Sequence, residues 1–111
     1  MHRLLIAATF GTLVACGGVS DRIDYTTLES DLSLRAFVGT AMVRTVSLPT
    51  YAAAEEIAVE SAPGVISTTE DLLWADEPER AATLTITRHL DDILSATVGP
   101  EPWPFAGLPD V

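Results

Sequence analysis

The sequence predicts a small α/β domain, a β-sheet packed with one main helix. Three observations carry this expectation: short runs of alternating apolar and polar residues between 32 and 68, a Pro63-Gly64 turn signal inside them, and an apolar stripe of helical period that stops at Gly99-Pro100.

The chain begins differently. Met1-His2-Arg3 is a short basic start, and Leu4 to Ala15 is an uncharged, mostly apolar run ending in small residues. That length suits a signal-peptide core and is too short to span a bilayer. The run ends Leu13-Val14-Ala15-Cys16, followed by Gly17-Gly18, which is the bacterial lipobox pattern. A branched apolar residue three before the cut and a small one just before it fit a narrow protease pocket in the membrane. Residues 1–15 are therefore expected to be a lipoprotein signal peptide, with Cys16 the first residue of the processed chain.

Cys16 is the single cysteine, so no intramolecular disulfide and no cysteine-based metal cage can form. In an exported protein a free thiol would be oxidised or cross-linked, and lipidation gives this one a role. The thiol accepts a diacylglyceryl group and the freed amine a further acyl chain, of the palmitate type. Each buried methylene contributes about 0.8 kcal/mol, and two or more chains anchor stably. Glycine rather than aspartate at position 17 favours the outer membrane, periplasmic face; the periplasmic face of the inner membrane is the alternative. No later stretch approaches twenty apolar residues, so no membrane-spanning helix is expected.

Residues 16–31 read as the lipidated N-terminus and a flexible tether, polar and without sustained periodicity, reaching roughly 20 Å as a coil. The domain is expected over 32–111. Leu32, Leu34, Ala36 and Val38 alternate as a half-buried strand, broken at Gly39-Thr40. A second strand-like run carries Met42 or Val43 through Val46 and Leu48, and Pro49 ends it because proline cannot donate to a sheet ladder. Tyr51 to Glu55 reads as one helical turn, Glu56 to Glu60 as a short strand, and Val65 to Thr68 as its hairpin partner across Pro63-Gly64.

Residues 81–90 are ambiguous. Ala82, Leu84 and Ile86 alternate with threonines, which favour strands. The wider window reads as helix: Asp76 is a good N-cap, Glu79 completes a capping box, and Pro78 is tolerated in a first turn. Ile86, Leu90, Ile93 and Leu94 then share a face that continues to Val98, and one helix over 77–97 is predicted. The proline-rich segment from Pro100 to Val111 is not expected to close the fold.

Composition removes whole classes of function. Six basic residues, all arginine, face sixteen acidic ones for a net charge of -10, so nucleic acid phosphates and anionic membrane surfaces would repel the chain. His89 has no second histidine in the processed chain to build a zinc site with. Asp91-Asp92 beside it invites a hydrolase reading, but no G-x-S-x-G nucleophile elbow and no glycine-rich phosphate loop are present. No catalytic residue, no metal and no cofactor beyond the covalent lipid on Cys16 is expected. Trp74, where the chain enters the helix, and Trp103, between two prolines, are candidates for packing or partner docking.

With these residues in view, the middle of the chain resembles a known family. Val46-Ser47-Leu48-Pro49-Thr50-Tyr51 looks like the strand-end motif of the Pqi-type, ABC-type transport auxiliary lipoproteins (PqiC). Trp74-Ala75-Asp76-Glu77-Pro78 matches their motif before the main helix, and Pro102-Trp103 the pair after it. The order of lipobox, tether, motifs and helix agrees as well.

The resemblance implies a mixed sheet flanked by helices and a periplasmic, non-enzymatic lipoprotein. It would work with a mammalian-cell-entry (MCE) protein and an integral membrane partner in intermembrane lipid transport, with a docking role and assembly into a homo-oligomeric ring. Pro49, Tyr51, Trp74 and Trp103 become the residues for packing or docking. Family members run on past the Pro-Trp pair into further strands, so a partial domain, incomplete relative to the family fold, is expected here. The competing readings are a stand-alone structural envelope lipoprotein and a non-functional truncated fragment; an adjacent MCE gene would favour the transport reading.

Overall fold

The computed structural model describes residues 18, 20–25 and 29–111. Among the described residues five strands and two helices follow one another: β1 (Asp21–Ile23), β2 (Thr40–Val43), α1 (Thr50–Ala53), β3 (Glu56–Ala62), β4 (Val65–Trp74), α2 (Pro78–Ile93) and β5 (Thr97–Pro100). The strands form a three-stranded mixed sheet in the order β1-β4-β3, with β1 parallel and β3 antiparallel to β4, and a parallel pair β2-β5. The architecture is α/β with one main helix, as the sequence predicts.

The hairpin of β3 and β4 forms where its local signals lie. Gly64 takes φ 74°, a conformation that side chains with a Cβ disfavour, and its N–H donates to Glu60 Oε1 at 2.9 Å. The strands run further than expected, β4 reaching Trp74. The turn of helix at Tyr51 is also present as α1.

α2 ends four residues earlier than the expected 97, and the residues beyond it are a strand. Leu94 adopts an extended conformation, φ -91° and ψ 146°, after its N–H closes the last turn on Leu90. Leu34 N–H then takes the Ile93 carbonyl, Ser95 N–H goes back to Leu34, and Thr97 N–H donates to Gly39. A parallel partner thus captures Thr97 and Val98, β-branched residues that lose little in a strand, and Gly99-Pro100 continue it rather than merely stopping a helix.

The buried face of α2 also differs from the predicted stripe. Pro78, Ala81, Thr83 and Thr87 are buried, whereas Ile86 is exposed. Threonines are admitted because each hydroxyl bonds inside the helix: Thr83 Oγ1 donates to the Glu79 carbonyl at 2.6 Å and Thr87 Oγ1 to that of Thr83 at 2.7 Å. The start of the helix lacks the expected capping box. Glu77 is the N-cap without a side-chain cap bond, Asp76 pairs with Arg80, and Glu79 points elsewhere.

Three further expectations are corrected. Residues 32–38 form no strand; a single bridge joins Leu34 to Leu94, and Leu32, Leu34 and Phe37 are exposed, because no neighbouring strand lies alongside them. The second run is strand only over Thr40–Val43, and 44–49 leave the sheet to follow α2. Part of the stretch read as tether is β1, held in register by Asp21 against Leu72 and Ile23 against Trp74.

The core sits between α2 and β5. Among the described residues Ala81 and Val98 are its buried apolar side chains. The proline-rich segment does pack back onto it. Trp103, Pro104 and Phe105 close over Gly99, where an added Cβ would lie 2.9 Å from the Phe105 ring. Beyond them Met42 N–H donates to the Val111 carbonyl at 2.8 Å. No helix of the described residues is long and apolar enough to cross a membrane.

Candidate functional site

Leu13, Val14, Ala15 and Cys16 lie outside the described residues; Gly18, just beyond them, is exposed. The other sequence-predicted residues fall into two neighbourhoods around α2.

The first is the start of the helix, where the segments 46–51 and 74–78 meet. Val46 N–H donates to Thr83 Oγ1 at 2.9 Å and Leu48 N–H to Glu79 Oε1 at 3.0 Å. The irregular stretch therefore lies along the first two turns of α2, its backbone donors satisfied by helix side chains instead of a sheet ladder. Pro49 is the N-cap of α1, its carbonyl accepting from Ala52 and Ala53. Pro49 and Tyr51 are both exposed.

Trp74 closes β4 beside them. Its N–H donates to the Glu55 carbonyl at 2.9 Å, and its ring stacks on Tyr25 with centroids 4.7 Å apart. Arg22 Nη1 reaches both Glu55 Oε1 at 2.7 Å and the Trp74 carbonyl at 3.1 Å, so β1 is pinned to the turn before α2. Both partners of that ion pair are more than half exposed, which limits what it adds to stability. A hollow of about 410 Å³ opens here, walled by Ala53, Trp74, Ala75 and Pro78 and rimmed by Arg22, Glu55, Asp76 and Glu77.

The second neighbourhood lies between the first turns of α2 and the end of β5. A groove of about 420 Å³ is lined by Thr83 and Leu84 of α2 and by Thr45, Pro100 and Pro102, together with Glu77, Glu79, Arg80 and Glu101. The Glu101–Pro102 peptide is cis. Glu101 Oε2 accepts Thr45 N–H at 3.0 Å, and that bond is the main reason its pKa lies below the ordinary carboxylate value, with Arg44 adding a smaller pull in the same direction. Trp103 packs edge-on to Phe105 at 5.0 Å, its buried indole N–H without a partner among the described residues.

Trp74 thus ends β4 while Trp103 lies in the segment beyond β5, and the fold does not bring them together. Glu77 is the residue shared by both hollows. Apolar walls with carboxylate rims suit the reception of a side chain or short segment from another molecule. His89 is half-buried on α2, and its neighbour Asp91 is engaged elsewhere, accepting Val98 N–H at 2.8 Å to hold β5 on the helix.

Sequence reading missed Thr83 and Glu79 as the residues that dock 46–49, because nothing local marks a helix side chain whose partner lies more than thirty residues away. It also missed Asp110, whose carboxylate accepts Gly39 and Thr40 N–H, each at 2.9 Å.

A comparison with curated proteins and with solved structures gives no match. A family model described as the ABC-type transport auxiliary lipoprotein component matches residues 33–111, which include α1, α2 and the lining of both hollows apart from Arg22. The chain therefore belongs to the family of ABC-type transport auxiliary lipoprotein components.

Proposed function

We propose that the protein is an outer-membrane-anchored periplasmic auxiliary lipoprotein of an MCE-type intermembrane lipid-transport system, with a docking and not a catalytic role. The observation that carries this is the family match over 33–111 standing directly behind a lipobox at 13–16. Cleavage after Ala15 and acylation of Cys16 hold the domain at the periplasmic face of the membrane. The domain then receives the MCE protein at the hollows on either side of Glu77, with Trp74 in the wall of the first and Trp103 packed on Gly99 of β5. Several copies assembled as a ring would present these hollows around one axis.

Two separable attachments follow, one to lipid and one to protein. Detergent-solubilised wild type and Cys16→Ala should both co-purify with the MCE protein, while only the wild type stays with the membrane fraction. Failure of either form to co-purify would overturn the docking role.

A further inference from the structure

The tip of the β3–β4 hairpin stands clear of the rest of the domain. From Val59 to Ile66 every residue is exposed, although successive strand residues point to opposite faces, so neither face of the tip is covered. Val65 and Ile66, 50% and 51% exposed, put branched apolar side chains on both faces at once. An uncovered apolar tip of this kind needs an occupant.

The course of β1 supplies one. β1 runs parallel to β4, Asp21 beside Leu72, and Ser20 Oγ donates to the Glu70 carbonyl at 3.0 Å. Followed backwards from Asp21, the chain leaves the sheet in the direction in which β4 leads back to its tip. Ser20 is four residue steps from Cys16, a reach of about 14 Å at about 3.6 Å each. Glu70 is five residue steps along β4 from Val65, a length of about 17 Å at about 3.3 Å each. An acylated Cys16 therefore holds Ser20 and Glu70 closer to the bilayer than the length by which the tip projects from them.

We infer that the hairpin tip, Ala62 to Ile66, is a second membrane contact that seats Val65 and Ile66 at the headgroup–acyl boundary of the bilayer holding Cys16. The inference rests on the acylation proposed above. Charge sets its depth and lipid preference. Glu60 is tied to the turn through Gly64 N–H, and Glu70 and Asp71 lie on the stem, so the contact is shallow and suits a surface of low net negative charge.

The full lipidated protein tests this, with Ile66→Cys carrying an environment-sensitive fluorophore and Ile86→Cys, exposed on α2, as the comparison site. Acylation consumes the Cys16 thiol, so the label goes only to the new one. On vesicles of phosphatidylethanolamine and phosphatidylcholine the emission at 66 should shift to the blue and escape an aqueous quencher, while that at 86 does neither. Protein that floats with the vesicles while the probe at 66 stays solvent-like overturns the inference and leaves the anchor standing. Protein that stays off the vesicles fails the anchor, and the inference falls with it. A blue shift that grows with the protein-to-lipid ratio points to a second copy of the chain as the occupant and overturns the membrane contact.

Discussion

Thr40 and Asp110 hold each other by two reciprocal hydrogen bonds of 2.9 Å, Thr40 N–H donating to the Asp110 carboxylate and Asp110 N–H to the Thr40 hydroxyl. With Gly39 N–H on the same carboxylate oxygen, this pair fastens the last residues to the start of β2. On the β5 side, Gly39, just before β2, accepts from Thr97, and Val43 accepts from Glu101. The even residues Thr40 and Met42 face the tail. One short strand is thereby held along both edges.

Acid should weaken this fastening. The N–H of Thr40 first, then that of Gly39, lowers the Asp110 pKa, and Thr45 N–H lowers that of Glu101. A carboxylate lowered in the folded state contributes stability that is full above its ordinary value and is lost as pH falls through the folded one. Stability followed by urea unfolding should therefore hold from neutral pH down to about pH 4 and fall below it. Asp110→Asn should be less stable at neutral pH and should flatten that acid limb; an unchanged limb would show that other groups cause it.

Thr83→Val should cost more than Thr87→Val. The first leaves Val46 N–H without an acceptor in a part-buried place, a loss of about 1–3 kcal/mol. The second removes only a hydroxyl that donates to a carbonyl already used in the helix, worth about 1 kcal/mol or less. Comparison of urea midpoints at equal m would decide it, and equal costs would contradict the role given to Thr83.

Gly99→Ala should destabilise by about 1–3 kcal/mol through overpacking. The new methyl would lie 2.9 Å from the Phe105 ring and 3.0 Å from both Pro104 and Trp103. Tryptophan fluorescence should report the displaced Trp103. A neutral result would mean that the proline-rich segment gives way freely.

Trp74→Ala should loosen β1 before anything else. It removes the stack on Tyr25 while leaving α2 and β5 untouched. Hydrogen exchange at Ala75, whose N–H donates to Ile23 at 2.8 Å, should speed up at least tenfold, with Val98 unaffected. A tenfold change corresponds to about 1.4 kcal/mol, within reach of one aromatic pair and its buried area.

The hairpin, α1 and the heart of α2 were legible because each is announced by neighbours in sequence. Pro63-Gly64 meets the backbone demand of the turn, and Pro78 sits at the start of a helix that its residues favour. The site was legible only in outline. The segments 46–51 and 74–78 could be singled out as motifs, but their meeting at Glu79 and Thr83 could not, since it depends on donors and acceptors far apart in the chain.

By itself, then, the sequence determined the α/β character, the hairpin, the main helix and the motif order by which the family is known, all of them encoded within windows of a few residues. Tertiary structure alone decided that Asp21–Ile23 is sheet, that 32–38 is not, and that the helix yields to β5 at Thr97. The reason is the same in each case. A strand of three or four residues has too little periodicity to declare itself, and it exists only where a partner, Leu72–Trp74 or Thr40–Val43, supplies the hydrogen bonds its backbone must otherwise take from water.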